Sequence, residues 1–192
     1  FERCESPERF ETIALDPELN RTFHCWHVFV EGLKAGCHYA YRARGPQETE
    51  RGHRFDPDKV LIDPYGRGVT SAVWDRSAAS VPGSNLRASM RSVVTAMDGY
   101  DWQGDQPLNR PLAETVIYEL HVGGFTRSPS SKAVAPGTFH GVVEKIPHLK
   151  ALGITAVELL PVMLFDDKAP LRKGPDSKPL RNYWGYGSLG FF

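Results

Sequence analysis

The chain carries no excess of either charge: lysine and arginine together number 23, and aspartate and glutamate together number 23. Proteins that grip nucleic acid normally hold a basic surplus that neutralises phosphates, so that class is set aside. No polybasic stretch offers itself to anionic lipid, and no apolar run reaches the roughly 18 residues needed to cross a bilayer. Cysteine is scarce. Cys4, Cys25 and Cys37 are too few for a disulfide framework, and in a monomer one thiol must stay unpaired. That favours a reducing compartment, here the cytoplasm. Internal repeats and low-complexity segments are absent, and so is an initiator methionine. The chain runs from Phe1-Glu2-Arg3 to Gly190-Phe191-Phe192, and both ends read as cuts. The missing signal peptide therefore says little about export.

What is present is an ordinary globular composition, 41% hydrophobic and 24% charged over 192 residues. That excludes a disordered tail, a collagen-like repeat and a coiled coil, and leaves room for one large domain or two modest ones. The first half reads as β-structure. His24 to Val30 and Cys37 to Ala43 are rich in aromatic and β-branched residues around a glycine-bearing turn at 31–36. They predict an antiparallel pair, either a hairpin or a cross-sheet connection in a sandwich. Val60-Leu61-Ile62, held between Asp56-Pro57 and Asp63-Pro64, reads as a loop clamped to a core. Turn signals crowd residues 81–111, with one short strand at Ser92-Val93-Val94, and a linker is placed at 98–113.

The last third has a different rhythm. Thr115 to Val122 predicts a strand, with Val116, Tyr118, Leu120 and Val122 facing helices. Phe139 to Leu152 predicts a helix capped by Thr138, with a kink or a later start at Pro147 and a stop at Gly153. Ile154 to Pro161 predicts a strand buried on both faces. Strand, helix, strand is a parallel βαβ unit.

Three groups of residues invite a chemical reading. His24, Cys25, His27, Cys37 and His38 lie close together, but structural zinc motifs space their ligands differently. The cysteines read instead as small buried hydrophobes, and no metal is assigned. Glu119 and Glu158 lie mid-strand on what should be neighbouring strands, and two nearby carboxylates invite a glycosidase reading. Catalytic groups on such folds sit at the C-terminal strand ends, so a paired polar network within the sheet is preferred. The run Arg181-Asn182-Tyr183-Trp184-Gly185-Tyr186-Gly187 follows the second strand, where α/β domains place their sites. Flat rings with polar tips suit a sugar, and the flanking glycines let backbone approach a ligand or turn sharply.

Several segments carry a resemblance. Trp26 to Gly36, Arg54 to Tyr65, Asp101 to Pro107, Thr115 to Thr126, Val157 to Val162 and Leu180 to Tyr186 resemble, in order, segments of isoamylase-type glycogen debranching enzymes. These belong to the α-amylase clan of glycoside hydrolases. The resemblance implies an immunoglobulin-like β-sandwich of carbohydrate-binding-module type, lacking its first strands, over residues 1–97. The linker at 98–113 would follow, and then the first βαβ of a (β/α)₈ TIM barrel over 114–192. It implies retaining hydrolysis of α-1,6 branch points in glycogen or limit dextrin, with water as acceptor and no cofactor. The partner implied is an α-glucan, not nucleic acid or membrane. Tyr186 matches the tyrosine that stacks on glucose at the cleavage site, and Trp184 and Tyr183 accompany it as substrate-binding candidates. Gly187 stands where the family has Asn or Asp. The catalytic carboxylates lie on later barrel strands in the family, so no catalytic residue is assigned here and this chain is expected to be inactive alone. Two strands and one helix cannot close a barrel, so Val116, Leu120, Val157 and Leu159 are expected to lack partners. The rival readings are a stand-alone α-glucan-binding protein, with Trp26 or Trp74 as platform, and a piece of a related branching or trehalose-releasing enzyme.

Overall fold

The structure is a computed structural model that describes residues 11–96, 99–170 and 172–191. Cys4 and the first linker residue, Asp98, lie outside them. The chain divides into two compact units, Phe1–Tyr100 with Gly190–Phe192, and Asp101–Leu189.

The first unit is β-rich, with very short strands. β1 (Arg21–Thr22) and β2 (Cys25–Trp26) form an antiparallel pair. β3 (His38–Tyr39), β4 (Gly68–Val69) and β5 (Ser92–Val93) form a second sheet in the order β3-β5-β4, antiparallel throughout. The two aromatic-rich runs therefore do not make a hairpin with each other. Residues of the first run pair with Arg21–Thr22, and those of the second pair with the strand at 92–93. Hydrogen bonds show why. Gly36 N–H donates to the Val94 carbonyl at 2.8 Å, and Val94 N–H donates to that of Cys37 at 2.9 Å. Asp63 then fixes the register: its carboxylate accepts from the Tyr39 hydroxyl and from Tyr65 N–H, each at 2.8 Å. Its own N–H donates to Ser92 Oγ at 2.8 Å. The segment at 60–62 is a clamped loop as expected, although only Val60 is buried and Leu61 is exposed. Leu61 bridges to Tyr41, and buried Asn85 holds both backbone groups of Val60. A five-residue helix, α1 (Arg76–Ser80), is capped by Asp75 at its start, and the Lys59 ammonium donates to the Ala78 carbonyl within it and to the Val81 carbonyl after it.

Burial first, then the Asp63 carboxylate, holds the Tyr39 phenol well above its ordinary value of 10.0. A group whose folded value is raised contributes stability that is intact below its unfolded value. That contribution drains away as pH climbs towards the folded one. Alkaline denaturation is thus expected to steepen above about pH 10 in the wild type. Tyr39→Phe should lose about 1 kcal/mol at neutral pH and show a shallower alkaline slope. Urea midpoints across that range check it, and an unchanged slope would contradict the Tyr39–Asp63 assignment.

In the second unit, β6 (Ile117–His121) and β7 (Ala156–Leu160) lie parallel, with register partners Leu120 and Leu159. Between them come α2 (Val122–Phe125), α3 (Phe139–Glu144) and α4 (Ile146–Ala151). Thr138 caps α3 by accepting from Gly141 N–H at 3.1 Å, as expected. The expected single helix is broken at Lys145, just before Pro147, which sits in the first turn of α4 where its missing N–H costs nothing. Gly153 ends it at φ 79°. Leu120, Val122, Val142 and Leu149 form the core, with Phe125, Ile154 and Leu159 against it. The expectation that strand residues lack partners holds for Val116 and Val157, which are exposed, and fails for Leu120 and Leu159, because α3 and α4 fold back over their end of the sheet. A second expectation fails. β7 is not buried on both faces: Val157 and Glu158 are exposed, because the core gathers on Leu120 and Leu159 and takes in neither of them. Phe125 of α2 stands edge-on to Tyr118, the register partner of Val157, at 6.0 Å between ring centroids. Among the described residues no helix is long and apolar enough to cross a membrane.

Candidate functional site

Both parallel strands deliver their C-terminal ends to one loop system. β6 ends at His121, whose Nδ1 accepts from Gly124 N–H at 3.0 Å and so starts α2. β7 ends at Leu160, and the chain then runs out through Pro161 into a long excursion that is laced together in steps. Phe165 bridges Ser188, Leu189 N–H donates to the Leu164 carbonyl at 2.8 Å, and Asn182 N–H donates to that of Asp167 at 2.9 Å. An exposed Arg181–Asp167 ion pair lies beside the last of these.

The expected aromatic run sits at the returning end of this excursion. Asn182 clasps it from within: its Oδ1 accepts from Gly185 N–H at 3.1 Å, and its Nδ2 donates to the Tyr186 carbonyl at 2.8 Å. Gly185 is buried at φ 75°, and a Cβ there would lie 2.4 Å from Pro161 Cβ. A glycine is required on both counts. The Tyr183 ring stacks on the His121 imidazole at 4.2 Å and 7°, and Trp184 stands edge-on to both at 5.5 and 5.4 Å. Gly124 makes room, since a Cβ there would meet the Tyr183 hydroxyl at 2.5 Å.

The three candidate residues thus share one turn but differ in support. Tyr183 and Trp184 are braced by His121 yet remain 53% and 54% exposed. Tyr186 is 74% exposed and makes no ring contact or side-chain hydrogen bond among the described residues. A braced pair of rings beside one uncontacted ring is a surface that can stack on flat apolar faces while its hydroxyl and indole groups bond polar edges. His121 is the residue that sequence reasoning missed, and no local pattern marks it, since its partner Tyr183 lies 62 residues away.

The other constellations resolve differently. Glu119 and Glu158 are indeed register neighbours, but both are exposed and neither makes an ion pair among the described residues, so they are not a buried network. Among the described residues no three His, Cys, Asp or Glu side chains gather where an ion could be shared. Cys25 is exposed, against the expectation of burial, and Cys37 is half-buried; both are free thiols. A hydrogen bond with the Cys25 thiol raises the Tyr65 phenol above its ordinary value. His27 bonds Thr22 at 2.8 Å. Trp26, the rival stacking platform, has the Arg21 guanidinium over its ring at 5.7 Å, so that face is taken. Trp74 is half-buried.

Residues 4–66 match the family of carbohydrate-binding module 48, the isoamylase N-terminal domain. The chain is 42% identical over 184 residues to isoamylase 1, chloroplastic, of Arabidopsis thaliana, covering 95% of this chain and 23% of that protein. It is 42% identical over 180 residues to the glycogen debranching enzyme of Yersinia pestis bv. Antiqua (strain Angola), covering 90% of this chain and 27% of that protein. Among solved structures, a pullulanase from Group B Streptococcus matches 60% of this chain and 15% of its own, with 26% identity and a TM-score of 0.44. The chain therefore spans about a quarter of the length of the curated relatives it matches. Its relatives are isoamylases and glycogen debranching enzymes, and the segment at 4–66 is similar to the N-terminal domain of isoamylases.

Proposed function

We propose that this chain is part of a retaining glycoside hydrolase that cleaves α-1,6 branch points in glycogen or limit dextrin. In this reading residues 1–97 are an immunoglobulin-like β-sandwich, 98–113 a linker and 114–192 the opening of a (β/α)₈ barrel. The parallel β6–β7 pair with helices between supports the barrel opening. The observation that carries the reading is the turn at 183–186. It is an aromatic surface held rigidly at the C-terminal strand ends, where barrel enzymes bind substrate, in a chain 42% identical to a glycogen debranching enzyme. Tyr186 stacks on the glucose ring, and Trp184 and Tyr183 flank it. Catalysis itself needs two carboxyl groups across one bond. This chain supplies binding surface only and is inactive alone. A reducing, cytoplasmic location goes with this reading, and the free thiols of Cys25 and Cys37 support it.

The test is α-glucan binding by this chain, with maltoheptaose as probe. Tyr186→Ala should weaken binding about tenfold, the loss of roughly 1.4 kcal/mol of stacking. Because the Tyr186 ring touches no other ring, thermal stability should not move. Binding that is unaffected by Tyr186→Ala would contradict the assignment.

A further inference from the structure

The imidazole of His121 is bonded on both nitrogens and packed on its face. A backbone N–H can only donate and a carbonyl can only accept. Nδ1, which faces Gly124 N–H at 3.0 Å, must therefore be the bare nitrogen. Nε2, 2.8 Å from the Tyr183 carbonyl, must carry the proton. One neutral tautomer satisfies both partners, and it joins two segments 62 residues apart. On one side it starts α2 at the end of β6, and on the other it holds the backbone of the aromatic turn. The ring plane lies 7° from that of Tyr183, so the contact fixes the orientation of Tyr183 as well as its position. Trp184 then packs edge-on against both rings.

We infer that His121 is a positioning residue for α-glucan binding: it sets where the Tyr183–Trp184 face stands, without touching the sugar itself. This deepens the reading of the turn as a glucan surface and rests on it. Holding rings in place before the ligand arrives removes an ordering cost from binding. Affinity should therefore depend on the Nε2–H to Tyr183 bond more than fold stability does.

Two substitutions separate the two nitrogens. In His121→Asn the amide oxygen occupies the Nδ1 position and can still accept from Gly124, but nothing reaches Tyr183. In His121→Gln the longer side chain brings an N–H donor back within reach of the Tyr183 carbonyl. His121→Asn is expected to bind maltoheptaose about tenfold more weakly, and to lose the near-ultraviolet circular dichroism of the Tyr183–Trp184 pair. His121→Gln should recover much of both. Wild-type binding in His121→Asn, or no recovery in His121→Gln, overturns the inference. If the wild type itself binds no maltoheptaose, the glucan reading fails on its own, and the circular dichroism decides the role of His121. Loss in His121→Asn with return in His121→Gln supports positioning of the rings, and an unaltered band in His121→Asn overturns it.

Discussion

Gly141→Ala is expected to destabilise the second unit by about 3 kcal/mol, although helix propensity alone argues for a gain of up to about 1 kcal/mol. The added Cβ would lie 2.4 Å from the Ala135 carbonyl oxygen and 2.7 Å from Thr126 Oγ1. Neither neighbour can retreat cheaply. Ala135 is held by its N–H bond to the Glu144 carboxylate at 3.1 Å, alongside Val134 at 2.7 Å. Thr126 is fully buried, and its hydroxyl accepts from Gly137 N–H at 2.7 Å. The loop before α3 thus presses on the helix where a side chain would stand, and the helix can approach only because residue 141 has none. Urea denaturation reads the sign directly. A stabilised Gly141→Ala would mean that the loop does not pack on α3 in this way.

Gly185→Ala should have the larger effect on binding. It combines the strain of a left-handed backbone at φ 75°, about 1 kcal/mol, with a Cβ lodged 2.4 Å from the rigid Pro161 ring. The turn must move outward, which separates Tyr183 and Trp184 from His121. The affinity for maltoheptaose is expected to fall by more than about tenfold, with loss of the near-ultraviolet aromatic signal. Gly187→Ala is the control. Its φ of 80° is similar, but nothing lies within 4 Å of the added carbon. It should therefore cost only the backbone strain and leave the ring cluster in place. Equal effects of the two substitutions would show that backbone strain, not the contact with Pro161, governs the turn.

What the sequence made legible follows from short-range rules. Thr138 before an apolar periodicity, Pro147 inside it and Gly153 after it specify the start, the break and the end of the helical segment, and each acts through neighbours a few residues away. The near-continuous apolar run at 154–161 revealed a strand but not how much of it would be covered. That depends on how far α3 and α4 reach. In the first unit, two aromatic-rich runs looked like partners. Yet pairing was decided by Asp63, a residue whose carboxylate reaches Tyr39 and whose backbone reaches Ser92. Such a tie spans 24 and 29 residues and leaves no local pattern. The aromatic turn was visible because its composition is unusual. Its support was not, because histidine is not among the favoured capping residues and the partner of His121 lies 62 residues away.

The measurement that bears most directly on the proposed glucan surface is a titration of the isotope-labelled chain with maltoheptaose, following the indole N–H resonances. The chain has four tryptophans, Trp26, Trp74, Trp102 and Trp184, so the spectrum is simple to assign by single substitutions. Binding at the turn should shift the Trp184 resonance progressively and leave the other three in place. A shift of Trp26 or Trp74 with Trp184 unmoved would place the glucan on the β-rich unit instead, and would contradict the assignment of the aromatic turn.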